Sequence, residues 1–349
     1  MTDAHGTLKS VGDPMTAGSS RRIGDLEVGP MGLGCMNLSH AYGTPSTAEE
    51  AARLLLEALD LGVVHFDTAA LYGFGANEEL VGRVLGPHRD RIVLASKCGM
   101  TGVDGKRVVD GRPETIRATA HEALRRLRTD VIDVYYLHRL DPAVPVEESV
   151  GAIAELVEAG SVRHVGLSEM SAATVRRAHA VHPVAALQNE YSLWTRNPEL
   201  GADAVCRELG ITLVAFSPLA RGVLTSAPPV MAELPEKDIR HAMPRFQGEA
   251  YAANLALQRR FASLADEAGC TPAQLALVWL LSRGDHVVPI PGTRSIDHLR
   301  ENLAAAAVTV SPDVLEQAGE IVNERTVVGS RYSAAAAADV DTEAFPQAG

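Results

Sequence analysis

Asp67 and Tyr72 stand five residues apart in VVHFDTAALYG (63–73), just past an apolar run that reads as a buried strand. An acid and a phenol at the C-terminal end of a strand suit proton transfer in an α/β protein. Alone, the pair is equally what a helix-capping aspartate and a loop tyrosine look like. Two more proton-active residues close the next such runs, Lys97 in RIVLASKCG (91–99) and His138 in VIDVYYLHR (131–139). Singly, Lys97 could be an ion-pair partner for Asp67, and His138 a satisfied strand-end histidine. Together the four make a coherent acid. An ammonium beside a phenol favours phenolate and should lower the Tyr72 pKa, while Asp67 keeps that ammonium in place and charged. His138 can donate a hydrogen bond to a carbonyl oxygen, and Tyr72 can deliver a proton as charge develops there. Such a site needs an electron-pair donor, and no side chain in the set is one. A hydride from reduced nicotinamide would serve.

The elements that must position these residues alternate regularly. A short hairpin, RRIGDLEVGP, leads to an apolar strand near Met31 to Met36. Thr47 with Glu50 forms a capping-box pattern, followed by a stripe of Ala51, Leu54, Leu55, Ala58 and Leu59 and a stop at Gly62. Helices are predicted over 77–85, 113–127, 146–159, 198–209, 251–268 and 295–305, with further helix starts at Ser171, Thr271 and Ser311. Between them lie strands ending at Ser168, Gln188, Phe216 and Gly292. Eight strand-then-helix units fall between about Met31 and Ala305. Their continuous apolar strand cores suit parallel pairing under helices, and a closed (β/α)8 barrel is the predicted fold. An open doubly wound sheet is the rival, weakened by the absence of GxGxxG after the first strand. Residues 21–332 read as one domain, 1–20 as a flexible leader and 333–349 as a flexible tail. The proline-rich stretch from Ala220 to Gly248 breaks the rhythm and reads as a lid or binding loop.

Composition narrows the function classes. The 349 residues carry a net charge of -12 and no Lys/Arg block, which argues against nucleic acid or an anionic membrane as partner. No apolar run approaches the ~20 residues of a membrane span. The four cysteines are far apart with no CxxC pair, as expected of reduced thiols in a cytoplasmic protein. Cys98, next to Lys97, should face the opposite way and belong to the core. The histidines form no metal-ligating pattern, so no metal is expected. The expected partner is a small-molecule carbonyl compound or alcohol; oligomeric state is not legible.

The chain resembles the aldo-keto reductase superfamily, and most closely its bacterial and plant branch of pyridoxal reductase-like and perakine reductase-like enzymes. The stretches that carry the resemblance run in order from LGCMNLS (33–39) and NEELVGRVL (77–85) through VRHVGLSE, LQNEYSLWTRNPE (187–199), LVAFSPLARG (213–222) and MPRFQGE (243–249) to PIPGTRSIDHLRENL (289–303). The resemblance implies a tetrad of Asp67, Tyr72, Lys97 and His138, with Tyr72 the general acid. It implies NADPH as cofactor, with some NADH use. Ser168 and Gln188 match positions that hold the carboxamide, and Phe216 the aromatic stacked on the nicotinamide. Ser217, Leu219, Arg221 and Gly222 match the pyrophosphate positions. Gly292, Thr293, Arg294 and His298 match the 2′-phosphate pocket, Glu301 and Asn302 the adenine contacts, and Met36 lies at the mouth beside them. Arg294 is the one firm cation there. Glu169 stands where many relatives carry Asn; a carboxylate accepts rather than donates, which puts its carboxamide contact in doubt. Candidate substrate contacts are His40, Phe74, Met100, Arg139 and Trp194.

The implied activity is NADPH-dependent reduction of aldehydes or ketones. A cofactor-binding regulatory or scaffold barrel with little turnover, and a phosphate-ligand isomerase on the same fold, are the alternatives that remain open at this point.

Overall fold

Among the described residues, six helices begin at a Ser or Thr whose side chain accepts from a first-turn N–H. Thr47 accepts from Glu50 N while the Glu50 carboxylate accepts from Thr47 N, and Thr271 with Gln274 repeats the arrangement. The structure is a computed structural model describing residues 20–103 and 106–346. The expected leader, apart from Ser20, lies outside the described residues, as do 347–349.

A small hairpin of β1 (Arg22–Ile23) and β2 (Leu26–Glu27) precedes β3 (Leu33–Gly34), α1 (Ala48–Asp60), β4 (His65–Asp67), α2 (Ala76–Leu85) and β5 (Val93–Cys98). A second hairpin, β6 (Met100–Val103) and β7 (Lys106–Val109), leads to α3 (Pro113–Leu127), β8 (Ile132–Leu137), α4 (Val146–Glu158), β9 (Val162–Ser168), α5 (Ala172–Val181) and β10 (Val184–Glu190). The chain continues through α6 (Ala202–Leu209), β11 (Thr212–Phe216), α7 (Gly248–Glu267), α8 (Pro272–Leu281), β12 (Val287–Pro289), α9 (Ile296–Ala304), α10 (Pro312–Ile321) and α11 (Ala334–Ala337).

Eight strands pair in parallel in the order β12-β11-β10-β9-β8-β5-β4-β3. The two ends meet: Gly32 N donates to Pro289 O at 3.0 Å and Gly34 N to Pro291 O at 3.4 Å. Closure is this tight because Gly34 has no side chain; a Cβ there would lie 2.9 Å from Ile290 O. The fold is the (β/α)8 barrel that the alternating pattern predicts.

Strand alternation sorts the side chains. Val93, Ala95, Val134, Tyr136, Ala186, Val214 and Val288 fill the barrel interior, closed below by Ile23 and Val28 of the first hairpin segment. The intervening residues Phe66, Leu94, Cys98, Tyr135, Leu137, Val165 and Leu187 pack outward under the helices. Cys98 is buried there, as its position beside Lys97 requires.

Three expectations change. The hairpin β6–β7 was not read from the sequence, although the Asp-Gly pair at 104–105 is a hairpin signal. The first barrel strand is shorter than Met31 to Met36, giving way to a 3₁₀ turn at Met36–Leu38. The segment expected to be a flexible tail is bonded to the barrel as far as Glu343. Asp341 accepts from Ser171 N and Oγ at 3.0 and 2.9 Å, and Glu343 accepts from Ala172 N at 2.8 Å. The unsatisfied N–H groups at the start of α5 favour carboxylates, and an Ala-rich composition hides two acids spaced to reach them.

Candidate active site

The same alternation that puts Ala95 and Val134 inside the barrel sends Asp67, Lys97, His138, Ser168, Gln188 and Phe216 inward at the C-terminal rim. There they meet a cleft of about 1500 Å³. Lys97 is fully buried beneath it. Its ammonium donates to Asp67 Oδ1, to Thr68 O at 2.8 Å and to the Tyr72 hydroxyl at 3.3 Å, while Gln188 Nε2 donates to Asp67 Oδ2 at 2.7 Å. Tyr72 arrives from the loop after β4, where Gly73 turns at φ 58° and Phe74 at φ 53°. Its ring lies 6.0 Å from that of His138, nearly perpendicular, and 5.5 Å from that of His40.

The protonation states follow from burial and neighbours. Burial disfavours the Lys97 ammonium, but Asp67 and Tyr72 more than offset it, so its pKa stays above the ordinary value. Burial raises the Tyr72 pKa above 10.0; Lys97 pulls it down and Asp67 pushes it up, and burial wins. The expected lowering of Tyr72 by Lys97 is therefore not the net result: desolvation of a phenolate outweighs one ammonium that is already paired. The phenol keeps its proton at neutral pH. His138 is held well below 6.5 by burial and by the positive charges of Arg139, Lys97 and Arg107, so its imidazole is neutral. This arrangement can donate a proton and a hydrogen bond to one oxygen in the cleft.

Met36, His40, Phe74, Met100, Arg139, Ser168, Gln188, Phe216, Ser217, Leu219, Gly222, Gly292, Thr293, Arg294, His298, Glu301 and Asn302 all line the cleft with Asp67, Tyr72 and His138. Trp194 does not. It is buried against Phe246, with the Arg245 guanidinium 5.9 Å from its ring, and its place among the substrate contacts is withdrawn. Arg221 lines the cleft but its charge is engaged: it pairs with Glu190 at 2.6 Å and donates to the Tyr42 hydroxyl at 2.7 Å. A pyrophosphate contact from a free guanidinium is not what this geometry offers. Glu169 turns its carboxylate to Arg331 at 2.6 Å and accepts from Glu190 N at 2.8 Å, and it is not among the residues that line the cleft.

Several residues at the rim escaped the sequence reading. Arg331 bridges Glu169 and Glu190, the latter at 2.8 Å, and lies 5.9 Å from the Phe216 ring. Burial disfavours the Glu190 carboxylate, but Arg221, Arg331 and Arg245 together bring its pKa down to about 2. Tyr42, Arg107 and Tyr332 also line the cleft. Arg107 comes from the unread hairpin, and Tyr332 from the very end of the expected domain. The segment 220–247 is tied across the cleft to the loop after β3: Ile239 N donates to Ala41 O at 3.0 Å, and Gly43 N to Asp238 Oδ2 at 2.7 Å.

A barrel with a Lys-supported tyrosine and a neutral histidine at one rim defines a proton-donating oxidoreductase site, and the comparisons with known proteins carry this to a family. The Aldo/keto reductase family model matches residues 30–323. The chain is 43% identical over 311 residues to a probable aldo-keto reductase 1 of Glycine max, covering 88% of this chain and 89% of that one. It is 40% identical over 337 residues to the aldo-keto reductase yakc [NADP(+)] of Schizosaccharomyces pombe, covering 94% and 99%. Among solved structures, the glycerol dehydrogenase AKR11B4 from Gluconobacter oxydans superposes with a TM-score of 0.80 at 26% identity, covering 95% of this chain and 99% of that one. The aldo-keto reductase AKR11C1 from Bacillus halodurans gives 0.73 at 28% identity, covering 89% and 98%. The chain belongs to the aldo/keto reductase family. It is an oxidoreductase that uses a nicotinamide cofactor and acts on small molecules. Among the described residues no helix is long and apolar enough to cross a membrane.

Proposed function

We propose that the protein reduces aldehydes or ketones to alcohols with NADPH. The observation that carries this reading is the Tyr72 hydroxyl, protonated at neutral pH, held 3.3 Å from the Lys97 ammonium at the floor of a cleft shared with neutral His138.

The cleft suits the cofactor on its own chemistry. Ser168 and Gln188 present polar atoms where a carboxamide would lie beside Phe216, and Arg294 at the far end is exposed with no carboxylate partner among the described residues. The absence of a side chain at Gly43 leaves room for that guanidinium, whose Nη2 lies 2.7 Å from where a Cβ would be. Its fork geometry suits a 2′-phosphate, the group that separates NADPH from NADH. NADPH supplies a hydride when bound.

The protein's own residues do the rest. His138 and Tyr72 orient the carbonyl oxygen by hydrogen bonds, and Tyr72 gives that oxygen its proton. Lys97, fixed by Asp67 and Thr68 O, stabilises the phenolate left behind, and Gln188 in turn fixes Asp67. Loss of NADPH absorbance against a broad carbonyl panel tests the reading. Tyr72→Phe should lower kcat by about 10²–10⁴-fold with NADPH affinity near that of the wild type. Undiminished turnover in that variant would refute the acid assignment, and no turnover of any carbonyl by the wild type would refute the reductase reading.

A further inference from the structure

The chain carries 44 acidic against 32 basic residues, yet six arginines line the cleft (Arg53, Arg107, Arg139, Arg221, Arg240 and Arg294). Three are neutralised in place: Arg107 by Asp339, Arg221 by Glu190 and Arg240 by Asp238. Arg53 and Arg294 lie together, both within the field of Glu50, at the end of the cleft bordered by α1 and α9. Arg139 stands apart from these. It follows His138 directly, and its Nη1 donates to His138 O at 2.7 Å and to Ser168 Oγ at 3.4 Å. Those contacts fix the guanidinium plane beside the tetrad. Its remaining donors, Nε and Nη2, have no partner among the described residues and are not sealed from the cleft. Its charge is felt by both Tyr72 and His138, so it lies within Coulomb reach of the two groups that would hold the carbonyl oxygen. A half-buried guanidinium that is anchored through one nitrogen and open through the others is pre-organised for a bidentate anion. Leu71, Phe74 and Met100 contribute apolar surface to the same cleft.

We infer that Arg139 recognises an anionic group on the carbonyl substrate, a carboxylate or a phosphate, so that oxo acids or phosphorylated carbonyl compounds are preferred over neutral ones. The inference rests on the reductase reading above and sharpens it to a substrate class. The anion sits against Nε and Nη2 of Arg139 while the carbonyl oxygen faces Tyr72 and His138. In a chain of net charge -12 this local cation offsets the repulsion that an anion would otherwise meet beside the reacting oxygen.

Matched substrate pairs test it, with NADPH oxidation as readout. Succinic semialdehyde is compared with its methyl ester, para-carboxybenzaldehyde with methyl para-formylbenzoate, and glycolaldehyde phosphate with glycolaldehyde. The expected result is kcat/KM about tenfold or more higher for the anionic member of at least one pair, with the advantage shrinking as salt is added. In Arg139→Gln the anionic-to-neutral ratio should fall to near unity, whatever loss is common to both members, and Arg139→Lys should recover part of it. A response confined to the first two pairs identifies a carboxylate site; one confined to the third identifies a phosphate site. Equal or better turnover of the neutral members by the wild type, or a ratio unchanged in Arg139→Gln, overturns this inference and leaves the reductase reading standing. No NADPH oxidation with any of these compounds, neutral or anionic, overturns both.

Discussion

Lys97→Met should be costly for a reason unrelated to its volume. Lys97 and Asp67 are both buried, and the ammonium is the one cation in contact with that carboxylate among the described residues. Removing it leaves the buried Asp67 carboxyl group with a single neutral side-chain donor among the described residues, Gln188 Nε2. Breaking a buried pair from one side costs about 3–5 kcal/mol. Asp67→Asn leaves the ammonium without a counter-charge, held only by neutral acceptors such as Thr68 O, Tyr72 OH and the new amide oxygen. The double variant removes both charges, and replacing a whole buried pair by neutral groups is often close to neutral. The expected pattern is two severely destabilised single variants and a double variant more stable than either, with a coupling of about 2 kcal/mol or more. Urea unfolding followed by far-UV circular dichroism measures it, provided the slope of the transition is unchanged between variants. Losses that simply add in the double variant would refute the view that this pair is a closed electrostatic unit. Activity should be lost in all three.

Arg294→Ala should weaken NADPH binding about tenfold or more relative to NADH, because a charge-assisted phosphate contact is lost with one cofactor and not the other; cofactor titrations that show equal losses would remove its phosphate role. His65 predicts an acid sensitivity. It is fully buried under Asp67 with neither ring nitrogen partnered among the described residues, and burial brings its pKa down to about 4. The native state therefore stays neutral while the unfolded state takes up a proton below the ordinary 6.5. Stability is fully present above that value and falls as pH drops towards 4, by about 3 kcal/mol at about 1.36 kcal/mol per pH unit. His65→Leu should flatten that part of the stability–pH curve; an unchanged curve would show that other groups set it.

The barrel and the rim positions of Asp67, Lys97 and His138 were legible because they depend on local periodicity, whereas Tyr72 lies in a loop and was singled out with them by its chemistry and by the resemblance. Once β4, β5 and β8 are recognised as parallel strands, alternation alone places Asp67, Lys97 and His138 on one interior rim, and Cys98 outside it. What sequence could not supply is which distant surfaces meet. Trp194 looks like a loop aromatic near the cleft, and only its packing on Phe246 and Arg245 removes it. Arg221 matches a phosphate position, yet Glu190 claims its charge from a strand end 31 residues away. Glu169 reads as an ill-suited carboxamide donor because a carboxylate only accepts, and its actual partner, Arg331, is 162 residues further on. The net pKa of Tyr72 was misjudged for a related reason: the pattern shows an ammonium nearby but not how deeply the phenol is buried.

The pairing of Glu169 with Arg331 also bears on the order in which the molecule can assemble during synthesis. Glu169, buried just past the end of β9, has Arg331 as its one ion-pair partner among the described residues, and the seam between Gly32 and Pro289 joins the first barrel strand to the last. A chain that has not reached Pro289 leaves the wall open, and one that has not reached Arg331 lacks the guanidinium that compensates Glu169. The native barrel therefore needs residues far apart in the sequence to be present together.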